Sequence, residues 1–141
     1  MTVLAILGGL IALFLIYGLV EFINKLSEEN YGYTFFNVAT LGVVSVSYYF
    51  IYFGYQMWQD VLKSESGDPL NGIVLMAIGG IILLFFIVHQ ISETSILVGV
   101  PVTIFQLLIY APLAYLIVLG FLLAMAMMFQ SRPVWVINDK D

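Results

Sequence analysis

The chain contains no cysteine, one histidine and only four lysines and arginines among its 141 residues. Without cysteine it forms no disulfide, holds no cysteine-ligated iron–sulfur cluster, attaches no c-type haem and does no thiol chemistry. One histidine does not give bis-histidine haem ligation from this chain alone. Four cations against nine aspartates and glutamates, a net charge of −5, leave no basic patch, so nucleic acid is not an expected partner. Charge of either sign is scarce, at 9% of residues, where a soluble domain carries about 25%. So few charges do not cover a water-facing surface. With 62% hydrophobic residues and a mean hydropathy of +1.07, most of the exterior is expected to face lipid.

Catalytic patterns are missing as well. No glycine-rich phosphate loop is present, and the single histidine, His89, has no serine or cysteine nucleophile motif beside it. A non-enzymatic protein without a cofactor or bound metal is the expectation.

What the chain has is long apolar runs. A membrane-crossing helix needs roughly 20 apolar residues at 1.5 Å rise each, and four such runs are present, with most charges between them. They predict an all-α integral membrane protein, a four-transmembrane-helix bundle with short loops and one membrane domain over 1–141. The helices are expected at about 3–26, 35–62, 70–92 and 101–130, with a short C-terminal tail 131–141. A barrel would show short alternating segments instead of continuous runs. The N-terminal run has no preceding Lys or Arg and no small-x-small cleavage site before Glu21, so it reads as the first span and not as a cleavable signal. Pro101 is placed for a first helical turn, and Pro112 is expected to loosen the last helix near Leu108.

Four spans put both termini on one side. That side carries Lys63, Arg132 and Lys140, the other only Lys25, so the basic bias points both termini to the cytoplasm of an inner or plasma membrane. A faint echo links Gly8–Ile16 with Gly79–Ile87, at an offset of 71 residues; glycine pairs followed by apolar residues are common in such runs.

Three groups of residues stand out. On a helical wheel at about 100° per residue, Asn37, Ser45, Tyr48, Tyr49, Tyr52, Tyr55, Gln56 and Gln59 fall within one arc of the second helix. A hydroxyl or amide facing hydrocarbon loses its hydrogen bonds at a few kcal/mol, so this lane is expected to face protein or water. It reads as interhelical hydrogen bonding, as the lining of a pore, or as a pocket for a quinone-like or lipid ligand. The second group is an interfacial polar cluster at one membrane face: Glu21, His89, Glu93 and Gln106, with Gln90 and Thr103 nearby. His89 and Glu93, four apart, share a helix face, and a carboxylate beside the histidine would favour its protonated form. The plainer reading is ordinary charged groups at span ends, with Glu21 paired to Lys25. The third group is a set of small-x-x-x-small patterns, Ala5/Gly9 and Gly8/Ala12 in the first helix and Gly120/Ala124 in the fourth, which let helix backbones approach closely. Met125, Met127 and Met128 read as apolar filler, and Trp135 in the tail as an interfacial anchor.

Together these features predict a membrane subunit that acts by helix–helix association with itself or with other membrane subunits. A proton- or ion-conducting pore or carrier lined by the second helix is the first alternative, and a quinone- or lipid-binding membrane protein the second.

Overall fold

The structure is a computed structural model and describes residues 1–64 and 66–130. The tail 131–141, with Arg132, Trp135 and Lys140, lies outside the described residues. The fold is all-helical: α1 Thr2–Tyr31, α2 Val38–Ser64, α3 Leu70–Glu93 and α4 Ile96–Gln130. All four are long and apolar enough to cross a membrane.

The ends of the helices follow local chemistry. α1 runs past residue 26, through the polar Ser27–Asn30 stretch, and stops at Gly32. That glycine takes the left-handed conformation (φ 66°) and its N–H bonds the Glu28 carbonyl, a glycine C-terminal cap. Asn37 caps α2: its Oδ1 accepts from the Thr40 N–H at 2.8 Å, while Thr40 Oγ1 accepts from the Asn37 N–H at 3.1 Å. Asp68 Oδ1 takes the Leu70 N–H at the start of α3. α4 begins at Ile96, five residues earlier than Pro101 would predict, because Ser95 starts the helix and its carbonyl accepts from Gly99 at 2.6 Å. Pro101 and Pro112 both lie inside α4.

The tightest packing joins α2 to α3, an antiparallel pair. Its seam is made of small residues seven apart: Ser47 and Gly54 on α2, Gly72 and Gly79 on α3. A Cβ built on Gly54 would lie 2.6 Å from the Gly72 carbonyl oxygen, and one on Gly79 would lie 2.7 Å from that of Ser47. Only glycine allows this approach. Gly99 has the same role at the α3–α4 turn, where a Cβ would meet Thr94 Oγ1 at 2.9 Å. α4 covers α2 and α3 with one stripe, Gly99, Thr103, Gln106, Tyr110 and Ala114, all buried; the apolar centre is Val44, Phe86 and Tyr110.

α1 departs from the expected packed arrangement. Ser27 is its only buried residue, every side chain from Thr2 to Leu19 is exposed, and it packs extensively against no other helix. Its attachments sit at its C-terminal end. The Asn24 amide bonds the Phe36 backbone twice, Nδ2 to the carbonyl at 2.8 Å and Oδ1 from the N–H at 2.9 Å. Tyr31 Oη lies 3.3 Å from Ser95 Oγ. Polar anchors are confined to one end, and the apolar remainder has no water-driven reason to fold back if its surroundings are hydrocarbon.

Candidate functional site: a buried polar lock and an open groove

The segment between α1 and α2 tucks into the α3–α4 end of the molecule. Phe35 is fully buried there, and its carbonyl oxygen is the hub of a hydrogen-bond network. Gln106 Nε2 donates to it at 2.5 Å and Thr40 Oγ1 at 2.9 Å. Gln90 Nε2 donates to Gln106 Oε1 at 2.7 Å, Thr103 Oγ1 donates to Gln90 Oε1 at 2.8 Å, and Tyr110 Oη lies 2.8 Å from Thr40 Oγ1. Gln90 and Gln106 have no exposed surface. Tyr33 packs edge-to-face with the rings of Phe35 and His89. Burial raises the Tyr33 pKa above the usual 10.0; the neighbouring Gln90 amide opposes the rise, and Glu93 and Tyr110 add to it. Each amide in this network has a partner, so it ties the α1–α2 segment, α2, α3 and α4 together at one end.

Of the four residues in the expected interfacial cluster, only Gln106 enters this network. His89 and Glu93 lie outside it, 61% and 51% exposed, with Nδ1 and Oε1 3.9 Å apart. Glu21 accepts from Tyr17 Oη at 2.9 Å, an i,i+4 contact on its own helix. Among the described residues no three of His, Cys, Asp or Glu converge. Thr40 and Tyr110, outside the expected cluster, complete the network. The signal for Tyr110 was available, since Thr103, Gln106 and Tyr110 fall on one face of α4 at spacings of three and four. The Phe35 carbonyl, a backbone acceptor, has no signature in sequence.

The polar lane of α2 divides in two. Its upper part bonds α4: Tyr48 Oη donates to the Leu107 carbonyl at 2.9 Å and Tyr49 Oη to that of Ala114 at 2.5 Å, on either side of Pro112. Ser45 is buried between these levels, and its Oγ has no partner among the described residues. Asn37 is spent on its cap. The lower part is open and bonds only to itself, Gln56 Nε2 to Tyr52 Oη at 3.1 Å and Gln59 Nε2 to Tyr55 Oη at 2.9 Å. The helix register explains the difference. Gly54 sits between Gly72 and Met76, and Gly79 between Ser47 and Ile51. Continued at equal rise, this puts Gln59 level with Pro69, ahead of α3, and Gln56 level with Gly72, in its first turn. The lower lane therefore lies beside the first turns of α3 and runs past its start.

Beside the lane, a groove of about 500 Å³ opens between α2 and α4, walled by Tyr49, Tyr52, Phe53, Tyr115, Leu119 and their neighbours. Tyr48 and Tyr49 close its upper end with hydroxyls already bonded. Tyr52 and Tyr115, 57% and 69% exposed, stand at its mouth. A second opening of about 370 Å³ separates α1 from α2 and α4, between Leu13–Val20 and residues including Phe36, Leu41 and Ile109. Among the described residues the small-residue patterns pack against nothing: a Cβ on Gly8, Gly9 or Gly120 would meet nothing within 4 Å, and Ala5, Ala12 and Ala124 are exposed.

Compared with known proteins, the chain matches no family model, no curated protein and no solved structure.

Proposed function

We propose that the chain is an integral membrane subunit that works by helix–helix association, with both termini on the cytoplasmic side of an inner or plasma membrane. The observation that carries this reading is α1: five turns of apolar helix, Thr2–Leu19, exposed on every side, with the exposed apolar end of α4, Leu119–Phe129, as a second unpacked stretch. A lone helix does cross bilayers, but this one carries a face of Ala5, Gly8, Gly9 and Ala12, and faces of that kind support helix contacts in hydrocarbon. The expected partners are further copies of the chain or other membrane subunits. Native mass measurement from a mild membrane extract tests the reading; a monomer at every protein-to-detergent ratio, with no crosslinked partner in membranes, overturns it.

The α2–α4 groove favours a second reading, a binding site for a quinone-like or lipid molecule with an apolar chain. Its wall is apolar, and the Tyr52 and Tyr115 hydroxyls are placed to donate to a polar head. Co-purification of such a molecule, lost on substitution of Leu119 by Trp, is the result that reading requires. The pore reading has less behind it. The α2 lane is interrupted by hydroxyls already bonded to α4 carbonyls, and its lower residues bond one another.

A further inference from the structure

We infer that the N-terminal half of α1 docks into the α2–α4 groove of a second copy of this chain. The inference rests on the association reading and adds to it the two surfaces and the partner.

Among the described residues neither surface packs against another helix, and the two cannot serve each other within one chain. α1 runs along one side of α4, lining a space with Ile109 and Leu113. The groove is walled by Ala111, Tyr115 and Val118. At about 100° per residue these two sets lie on nearly opposite sides of α4. The chain's own α1 therefore reaches its own groove only by giving up its bonds at Asn24.

The α1 of a neighbouring copy meets no such obstacle, because copies insert with one orientation and so share depths. Asn24 is bonded to Phe36, which sets α1 and α2 level at that point. Ala12 to Gly8 come twelve to sixteen residues before Asn24, about 18–24 Å away along the helix. Tyr48 to Phe53 come twelve to seventeen residues after Phe36, at about the same distance on the same rise. The small-residue face of α1 thus lies at the depth of the groove.

The shapes match as well. The groove presents large exposed aromatics, Tyr52, Phe53 and Tyr115, and α1 presents a flat of glycine and alanine with free space above it. The groove's walls run from Tyr48 to Phe53 on α2 and from Ala111 to Leu122 on α4, about 17 Å at 1.5 Å per residue, which takes about three turns of α1. The two surfaces differ, so each copy offers one helix and one groove. Exchanged between two copies, the contact gives a reciprocal two-fold dimer; passed on head-to-tail, it closes as a ring.

The absence of cysteine makes the test direct. Two differently tagged chains, one with Gly9→Cys and the other with Tyr115→Cys, are co-expressed and oxidised in native membranes, and native mass is measured on the parent protein. A disulfide-linked pair carrying both tags is expected. Leu119→Cys, on the same wall, is the second acceptor should Tyr115→Cys fail to accumulate. Phe14→Cys, on the opposite side of α1, is expected to give no mixed-tag pair. Gly9→Leu placed in an Ala12→Cys chain is expected to remove the crosslink while leaving the melting temperature of the isolated chain unchanged. An oligomer by native mass with no mixed-tag pair, or with Gly9-to-Gly9 pairs alone, overturns the docking inference and leaves the association reading standing. A monomer with lipid held in the groove overturns both.

Discussion

Gln90 and Gln106 donate and accept across α3 and α4 at 2.7 Å with no exposed surface on either. The bond matters less than what its loss would strand. In Gln106→Leu, the Phe35 carbonyl loses its Gln106 donor and the Gln90 amide loses its acceptor, both in a buried setting. Orphaned buried groups cost about 1–3 kcal/mol each, against an average of roughly 0.6 kcal/mol for a single interhelical bond in a membrane protein. The Phe35 carbonyl keeps its Thr40 donor, so the Gln90 amide is the group left orphaned: Gln106→Leu is expected to destabilise by about 1–3 kcal/mol, and the Gln90→Leu/Gln106→Leu pair by clearly less than the sum of the single variants. Reversible unfolding in mixed micelles, read as a double-mutant cycle, checks it; additive losses would mean that the two amides act independently.

The α2–α3 seam gives a contrasting pair of glycine variants. Gly72→Ala puts a methyl 2.6 Å from the Gly54 carbonyl oxygen and 2.8 Å from the Trp58 nitrogen. Both are backbone atoms and neither yields without moving a helix. Overpacking of that kind costs about 1–3 kcal/mol. Gly120→Ala and Gly8→Ala meet nothing within 4 Å and are expected to leave the melting temperature of the monomeric chain unchanged. Thermal melts of the three variants in one detergent separate these outcomes, and a neutral Gly72→Ala would mean the seam is looser than its geometry.

The four helices are legible in sequence because uninterrupted apolar runs of this length have few alternatives. The ends are less so. Ser27–Asn30 reads as loop by polarity, but a helix continues through polar residues until something stops it, and Gly32 does. The seam was hidden for a different reason. Small residues recur over seven positions and not four, Ser47 with Gly54 and Gly72 with Gly79, and Thr40 and Ser47, polar residues of α2 outside the lane, turn toward the packed side: Ser47 into this seam and Thr40 onto the Phe35 carbonyl. The small-x-x-x-small patterns were visible, yet nothing in one sequence says whether such a face meets its own chain or another. His89, Glu93 and Glu21 drew notice through their charge, whereas the network formed around neutral amides and a backbone carbonyl.

The two halves of the α2 lane are expected to respond differently to loss of a hydroxyl. Tyr49→Phe removes the donor to the Ala114 carbonyl and leaves the ring in place, at a cost of about 1 kcal/mol. Tyr52→Phe removes a hydroxyl that bonds only the exposed Gln56, and its expected effect on stability is within about 0.5 kcal/mol. Unfolding midpoints of the two variants decide it. Equal losses would place Tyr52 against a protein partner absent from the single chain, the result that docking at the groove mouth requires in the assembled state.

Tyr33 links the lock to pH. It lies between α1 and α2, and its pKa is raised, first by burial and then by Glu93 and Tyr110, above the usual 10.0. The folded state thus holds the proton more tightly than the unfolded chain, so stability from this group is fully present below pH 10 and is lost as pH rises through the raised value. In Tyr33→Phe that component vanishes. The wild-type chain is expected to lose melting temperature more steeply than Tyr33→Phe between about pH 10 and pH 12, with parallel curves below pH 9. Glu93→Gln removes one of the secondary causes and is expected to move the wild-type midpoint slightly downward. Melting curves across that range check both; coincident slopes for the wild type and Tyr33→Phe would show that the phenol ionises as freely in the folded chain as in water, and that the contact with Gln90 does not bury it.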